Sequence, residues 1–187
     1  MPERGARAEV HLRMPVAADA SWLAAADRAA ATAFAPPVGL DADELAGDLE
    51  AGRWACDELF GWAVLVDGEP AGFALVRAEA AGDADVRVRI SPGRRGRGAG
   101  REVLRQLADH HFAADAGLNR LTGRAHERNV PMQRVFHAAG FRMEARYRDS
   151  FELPGGGRAS EWGYALTRGD WEARRHRTAG EVLDLHG

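Results

Sequence analysis

The sequence predicts a single α/β domain whose sheet is mixed and mostly antiparallel. Apolar residues alternate in VRVRI, residues 86–90, a helical pattern follows at 100–117, and LNRLTGRAH at 118–126 predicts another strand. A strand–helix–strand unit of this kind forms a parallel pair with a right-handed crossover. Two apolar runs flank Asp67-Gly68, which predicts a hairpin. We therefore expect one parallel pair within a sheet otherwise built from antiparallel neighbours.

The other elements follow from local patterns. In chain order they are a strand at 9–14, an alanine-rich helix at 18–34, a short helix at 40–53, a short helix at 130–139, and two strands at 141–153 and 158–167 joined by the turn PGGG. Asn129 is the expected N-cap of the third of these helices, with Pro131 in its first turn. Gly117 is the expected C-cap of the helix at 100–117, and Gly140 is expected to stop the helix at 130–139. The residues from Arg168 onward are polar and are expected to be partly helical.

Length and composition indicate a globular protein with room for one core. The 187 residues are 45% hydrophobic, and we expect one domain, residues 1–187, with a core at about 8–172 between a loose N-terminal tail and a polar C-terminal tail. The formal net charge of −3 argues against general nucleic-acid binding. No stretch reaches the ~18 apolar residues of a membrane-spanning helix, and the N-terminus lacks a signal-peptide core. A soluble cytoplasmic protein without membrane partners is expected.

The content of cysteine and lysine excludes several kinds of chemistry. Cys56 is the single cysteine, so the chain has no intramolecular disulfide and no cysteine-based zinc site, and we expect no metal. We expect Cys56 to be a small buried hydrophobic residue. The chain contains no lysine, which excludes a Schiff-base or phosphate-binding lysine.

A glycine- and arginine-rich turn, SPGRRGRGAG at residues 91–100, joins the strand 86–90 to the following helix. Such a turn exposes backbone N–H groups at a helix N-terminus, where the helix dipole favours anions. A P-loop would need a lysine, and the dinucleotide pattern fails because Arg101 follows Gly100. The pattern Arg-x-x-Gly-x-Gly remains, formed by Arg95, Gly98 and Gly100. A solvated loop and an RNA-binding Arg/Gly segment are the alternatives.

Two motifs together resemble the GNAT N-acetyltransferase superfamily. ISPGRRGRGAG resembles the family's strand-to-helix turn, and NVPMQRVFHAAGF is similar to its next motif, an asparagine followed by a short helix that ends in Gly-Phe. The stretch SEWGYALTRGDW resembles the closing strand of the Rim-type branch, which includes ribosomal-protein N-terminal acetyltransferases. The resemblance covers about residues 8–172. It implies the GNAT fold: a twisted, mostly antiparallel sheet with helices on both faces, whose fourth and fifth strands form a parallel pair splayed at the acetyl-CoA site.

The resemblance also assigns the residues that hold acetyl-CoA as co-substrate. Backbone N–H groups would bind the pyrophosphate at Arg95, Gly96, Arg97, Gly98, Ala99 and Gly100. Asn129 would contact the pantetheine arm, unless it serves as a helix cap alone. The backbone of Ile90 would pair with the pantetheine, its N–H group would stabilise the oxyanion, and Phe136 would pack beside the thioester.

Family members are understood to acetylate amines by direct attack within a ternary complex. Rim-type relatives often carry a glutamate seven residues before the proline of the turn, and that count from Pro92 gives Asp85. We expect Asp85 to activate the amine through a water molecule. The alternative is that Asp85 only begins a strand and pairs with an arginine.

The residue that would protonate the leaving thiolate is not assigned. The family's usual tyrosine falls at Phe136, which cannot donate a proton. Substitutes are His126, His137, Tyr147 and Ser150, and the sequence does not rank them.

The acceptor is expected to be a primary amine, either a protein N-terminus or a small molecule. Four tryptophans could line its cleft or belong to the core: Trp22, Trp54, Trp62 and Trp162. A non-catalytic acetyl-CoA-binding or sensory module is the alternative function, since Phe136 replaces the tyrosine. The sequence does not distinguish a monomer from a homodimer.

Overall fold

The structure is a computed structural model that describes residues 7–80, 82–153 and 155–184, with side chains to residue 176. The predicted N-terminal tail, apart from its last residue, lies outside the described residues. The strands are β1 (Val10–Arg13), β2 (Ala55–Cys56), β3 (Leu59–Val66), β4 (Glu69–Ala78), β5 (Asp83–Ile90), β6 (Arg120–His126), β7 (Arg142–Glu152) and β8 (Arg158–Thr167); the helices are α1 (Ala20–Ala30), α2 (Ala42–Glu50), α3 (Ala99–Ala114), α4 (Val130–Ala138) and α5 (Arg168–Asp184).

The described strands form one twisted sheet in the order β1-β3-β4-β5-β6-β8-β7, and β2 pairs with β3. β5 and β6 run parallel, joined through α3, whereas the other neighbours are antiparallel. The predicted mixed sheet is confirmed. The hairpin between β3 and β4 turns at Asp67 and Gly68, whose φ values of 54° and 80° suit the turn type that Asp-Gly favours.

The parallel pair separates soon after it forms. Its ladder begins at Asp83 and ends at Asp85, opposite Thr122, although both strands continue. Within the described residues, residues 86–90 of β5 and 123–126 of β6 therefore face each other across an opening in the sheet, called here the gap. The predicted splayed pair is thus present, and the strand ends remain available to a ligand.

Helices cover both faces of the sheet, as predicted. Side chains alternate between the faces of a strand, and in β4 the residues Phe73 and Leu75 join a buried cluster with α1 and α2. Ala74 and Val76 join the larger cluster on the opposite face, with α3 and α4. Burying a side chain of Leu, Val or Phe size contributes about 1.5–3 kcal/mol, so the two clusters fix the sheet between two helical layers.

The helix signals near the site are mostly confirmed. Asn129 caps α4 by accepting the Met132 N–H, and Gly140 follows that helix with φ of 94°. The prediction for Gly117 is wrong, because α3 ends at Ala114 with Asp115 as its C-cap. The Asp115 carboxylate accepts the N–H of Gly117 instead, which organises the turn beyond the helix.

The prediction that Cys56 is buried is also wrong. Its thiol is exposed, because β2 has only two residues and both lie on the surface. Among the described residues, no helix has both the length and the apolar character needed to cross a bilayer.

Candidate active site

The glycine- and arginine-rich turn begins directly at the end of β5. A short 3-10 turn, Pro92–Arg94, follows the strand, and the Arg95 N–H donates to the Pro92 carbonyl at 3.2 Å. Gly96 and Gly98 then take φ values of 88° and 86°, in the left-handed region that favours glycine. A Cβ atom at either position would meet nothing within 4 Å. The backbone, and not a lack of space, therefore requires these glycines, and the turn faces open volume.

The start of α3 presents backbone donors to that volume. Gly98 is the N-cap, and the first helical bond runs from the Glu102 N–H to the Gly98 carbonyl at 3.1 Å. The N–H groups of Ala99 and Gly100 consequently lack intrahelical partners, and the helix dipole adds partial positive charge there. The Arg95 N–H group already donates to the Pro92 carbonyl. The backbone N–H groups that remain for a bound anion therefore begin at Gly96.

Two of the three arginine side chains of the turn contact other parts of the protein. Arg95 donates from Nε to the Ile90 carbonyl at 2.7 Å and from Nη2 to the Ala30 carbonyl at 3.0 Å. Arg97 forms an ion pair with Asp67 at 2.6 Å and lowers the pKa of that carboxyl. These contacts tie the turn to α1 and to the β3–β4 hairpin. With Arg95 and Arg97 engaged in this way, the backbone N–H groups are the candidate anion-binding groups of the turn.

Backbone groups of β5 face the gap. The Ser91 N–H donates towards β4, to the Ala71 carbonyl at 2.8 Å. Because successive residues of a strand direct their polar groups to opposite sides, the N–H groups of Ile90 and Val88 point into the gap. Sequence analysis singled out Ile90 but missed Val88, although strand alternation identifies both.

Asp85 lies at the vertex of the gap, at the last paired position of β5. Its side chain is 19% exposed and lies 3.4 Å from the Arg87 Nε. Burial raises the pKa of the Asp85 carboxyl, and the Arg87 charge offsets part of that effect. Asp85 lines a cavity of about 260 Å³ together with Thr122, Arg124 and Tyr147, among others.

The structure does not bring Asp85 and Ile90 into contact. Strand residues rise by about 3.3 Å each, so Ile90 lies about 16 Å along the strand from Asp85 and Val88 about 10 Å. A proton path between the carboxylate and a group bound near either N–H would therefore run through water.

Asn129, the N-cap of α4, and Phe136, within α4, lie on the other side of the gap. The Asn129 Oδ1 accepts the Met132 N–H at 3.3 Å, which fixes the orientation of the amide. The Phe136 ring is 1% exposed and stacks on Tyr164 at 4.9 Å. It also presses on β6 at Gly123, where a Cβ would lie 2.6 Å from the ring. Phe136 is a core residue, and its contact with a thioester stays a prediction.

The structure does not bring all four substitutes for the missing tyrosine together, although the Ser150 hydroxyl contacts the Tyr147 carbonyl at 3.1 Å. Tyr147 lies beneath the Arg124 guanidinium at 4.2 Å, Ser150 contacts Glu161 at 3.0 Å, and His137 is exposed on α4. His126 is 2% exposed at the end of β6. Tyr164, which sequence analysis did not consider, is buried against Phe136, and burial raises the pKa of its hydroxyl.

The four tryptophans differ in exposure. Trp54 is buried in the cluster with α1 and α2, and Trp62 is buried in the larger cluster. Trp22 packs against the former cluster while its Nε1 donates to Asp19 at 2.9 Å. Trp162 lies 5.3 Å from the Arg146 guanidinium. Only the half-buried Trp22 and Trp162 could contribute surface to a cleft.

A loop between α1 and α2, residues 31–41, is held over the gap and is called here the bridging loop. Arg89 of β5 donates to the Ala35 carbonyl at 3.0 Å and to the Pro36 carbonyl at 2.6 Å. Asp27 of α1, which is fully buried, accepts the N–H groups of residues 38–40 at 2.9, 2.8 and 3.3 Å. The Arg89 guanidinium thus holds the first half of the loop, and the buried Asp27 carboxylate holds the second half.

The bridging loop reaches β6 through aromatic contacts. The Phe34 ring lies 4.7 Å from the His126 ring, and Phe151 of β7 contacts the same imidazole edge-on at 5.0 Å. The loop therefore joins the two separated strands across the open end of the gap. Among the described residues, no group of histidine, cysteine or carboxylate side chains is arranged to hold a metal ion.

The chain is similar in fold to several solved acetyltransferases. RimJ of Mycobacterium smegmatis, in complex with CoA-disulfide, matches with a TM-score of 0.75 and 22% identity over 93% of this chain and 92% of that one. Spermidine N-acetyltransferase of Vibrio cholerae, in complex with CoA and spermine, matches with a TM-score of 0.73 and 15% identity over 87% and 97%. The aminoglycoside acetyltransferase AAC(6')-Ib, in complex with coenzyme A and kanamycin, matches with a TM-score of 0.69 and 17% identity over 89% and 99%.

No curated protein matches the chain in sequence. The model of the family described as acetyltransferase (GNAT) domain matches residues 9–142, which is most of the chain. That match agrees with the splayed parallel pair and with the glycine turn that leads from β5 into α3. The chain belongs to the GNAT family of acetyltransferases.

Proposed function

We propose that this acetyltransferase moves the acetyl group of acetyl-CoA to a primary amine by direct attack within a ternary complex. The observation that carries the proposal is the gap, which opens after Asp85 and Thr122 and has the N-terminus of α3 at its wide end. This arrangement offers an anion site and a row of backbone donors along a single line. A pantetheine chain with a thioester at one end and a pyrophosphate at the other fits that line.

Acetyl-CoA would bind through backbone groups in this arrangement. The N–H groups of the turn from Gly96 to Gly100 would hold the pyrophosphate, and the pantetheine would lie in the gap beside β5, near the Asn129 amide. The N–H groups of Val88 and Ile90 would both donate to the bound cofactor, one to a carbonyl of the pantetheine and the other to the thioester oxygen. One oxyanion donor of this kind typically contributes ~3–4 kcal/mol to catalysis.

Asp85 would accept the proton of the incoming amine through ordered water. Its raised pKa makes the carboxylate a stronger base than an exposed aspartate. The leaving thiol has a pKa of about 8.5 by analogy with cysteine, so the thiolate departs with little assistance. This property removes the need for a tyrosine at the position of Phe136.

The acceptor is a protein N-terminus or another primary amine. The C-terminal stretch SEWGYALTRGDW and the likeness to RimJ support the Rim-type branch and a peptide α-amine. Structures of the same fold hold spermine and kanamycin, which supports a small cationic amine as the second choice.

An acceptor panel tests the proposal. Acetyl-CoA should raise the melting temperature of the protein, and thiol release should follow when a peptide with a free α-amine, spermidine or kanamycin is added. Mass spectrometry should find an added acetyl group on the acceptor. Stabilisation by acetyl-CoA without thiol release on any amine of a broad panel would instead favour the non-catalytic binding module.

A further inference from the structure

His126 carries a buried polar atom that no described residue satisfies. The residue is 2% exposed, and its Nε2 is buried without a hydrogen-bond partner. The nearest ring neighbours are Phe34 and Phe151, whose faces and edges offer no strong acceptor. An unsatisfied buried polar group costs about 1–3 kcal/mol, and a ligand that supplied the missing partner would remove that cost.

The local backbone fixes the protonation of this imidazole. The Arg128 N–H donates to the His126 Nδ1 at 3.0 Å, so Nδ1 carries no proton. A neutral imidazole then carries its proton on Nε2. In this tautomer Nδ1 is the acceptor of the Arg128 N–H and Nε2 is a donor. The Nε2–H group of His126 is therefore a hydrogen-bond donor.

His126 lies on the face of the sheet that Asp85 occupies. In β6 the alternate residues Leu121 and Ala125 belong to the core beneath α3 and α4, which places His126 on the opposite face. Continuing the parallel register sets His126 level with Arg89 across the gap. Arg89 holds the bridging loop on this same face.

The turn that would bind the pyrophosphate leads into α3, on the other face. An acceptor that approaches from the side of the bridging loop would meet the imidazole. The half-buried Phe34 ring lies 4.7 Å from the imidazole, with the two planes tilted by 33°, and would have to move aside for the acceptor.

We propose that the Nε2–H of His126 donates a hydrogen bond to an oxygen atom of the bound acceptor. His126 then selects acceptors that carry a carbonyl or hydroxyl oxygen a few bonds from the reacting amine. This inference rests on the proposed function. A polyamine has only nitrogen donors, which are cationic at neutral pH and cannot accept from an N–H group. A peptide α-amine or an amino sugar carries a suitable oxygen.

Two substitutions separate a ligand contact from a local structural contact. In His126→Asn, the amide oxygen stands near Nδ1 and can still accept the Arg128 N–H, as asparagine does in Asx turns, but the outer donor is lost. In His126→Gln, the amide nitrogen reaches the Nε2 position and restores the donor, while the contact with Arg128 is lost. Melting temperatures of both variants verify that they fold.

Steady-state kinetics with trialanine amide and with spermidine provide the first readout. His126→Asn should raise the KM for trialanine amide by roughly three- to tenfold, the value of one hydrogen bond, and leave the KM for acetyl-CoA unchanged. His126→Gln should recover most of the loss, and turnover of spermidine should respond to neither change. A loss confined to His126→Gln, or a rise in the KM for acetyl-CoA, would overturn the proposal.

Nitrogen NMR of histidine-labelled wild-type protein gives a readout that does not depend on turnover. The His126 resonances should report the Nε2–H tautomer, and trialanine amide should shift the Nε2 signal whereas spermidine should not. Failure of the wild type to acetylate any amine would refute the proposed function. An unmoved Nε2 signal at saturating peptide would refute the role of His126 alone.

Discussion

Burial distinguishes Asp85 from the other carboxylates of its cavity. Its side chain is 19% exposed, compared with 35% for Asp83 and 44% for Glu144. Desolvation penalises the charged form, so burial raises the pKa of Asp85, and the neighbouring Arg87 offsets part of the effect. A carboxylate whose pKa is raised is a stronger base than an ordinary aspartate.

Asp85→Asn should therefore lower kcat by about a hundredfold, the lower range for a lost general base, without weakening acetyl-CoA binding. In the wild type, kcat/KM should fall as the pH drops through the raised pKa, because the base becomes protonated. That limb should vanish in Asp85→Asn. Thiol-release assays at a series of pH values measure kcat and kcat/KM. Isothermal titration calorimetry measures the affinity for acetyl-CoA.

Asp83→Asn is the matched control, since Asp83 lines the same cavity but forms an ion pair with Arg120. It should leave the pH profile in place. Wild-type turnover by Asp85→Asn with the correct acceptor would show that Asp85, the third residue of β5, only pairs with Arg87 and takes no part in the reaction.

The sequence predicted the positions of several candidate site residues within strands and turns but not their surroundings. Strand alternation and the spacing of glycines were sufficient to place Ile90 at the end of a strand and Gly98 in the turn after it, because those signals are local, whereas the roles proposed for them come from the family resemblance. The burial of Asp27 and of His126 comes from elements distant in sequence, and no local pattern encodes it. Cys56 was misassigned for the same reason, since its exposure depends on where a two-residue strand meets the sheet.

At the scale of the element, the bridging loop depends on charges that lie outside it. Asp27 accepts three N–H groups from residues 38–40, and Arg89 donates to the carbonyls of Ala35 and Pro36. Burial lowers the pKa of the Arg89 guanidinium, and the Asp27 charge opposes that shift. The loop thus has a fixed shape although it contains no helix or long strand.

Asp27→Asn should destabilise the protein by about 2–4 kcal/mol, because the amide group brings N–H donors to a buried site that already consists of donors. Urea unfolding at neutral pH measures this loss, and proteolysis within residues 31–41 should accelerate. Asp57→Asn makes the same chemical change on the exposed surface and should alter stability by less than about 0.5 kcal/mol. Equal effects of the two substitutions would contradict the structural role assigned to Asp27.

At the scale of the whole molecule, the sheet has two halves that separate at the gap. β1, β3, β4 and β5 form one half, β6, β8 and β7 form the other, and their shared ladder is short. The larger core cluster spans both halves through α3, whose residues Val103, Leu104 and Leu107 are fully buried. The attachment of α3 to the first half is therefore important for global stability.

One contact of α3 with the first half depends on pH. The Trp62 Nε1 of β3 donates to the His111 Nε2 at 3.2 Å, which requires that nitrogen to be unprotonated. Burial and the neighbouring His110 lower the pKa of His111 to about 4, and Asp115 opposes the shift. Phe60 contacts the ring edge-on. The folded state thus favours the neutral imidazole, whereas the unfolded chain binds a proton at about pH 6.5.

The contribution of His111 to stability should be complete above about pH 6.5 and should decline as the pH falls towards 4. Between pH 7 and pH 4.5 the loss should be about 2 kcal/mol, since each unit of pKa difference corresponds to about 1.4 kcal/mol. Urea unfolding at the two pH values measures it. Other groups also titrate in this range, so the comparison is with His111→Gln, whose amide oxygen can accept from Trp62 but does not titrate. The variant should lose about 2 kcal/mol less than the wild type over the same interval; equal losses would show that protonation of His111 does not limit the stability of the fold.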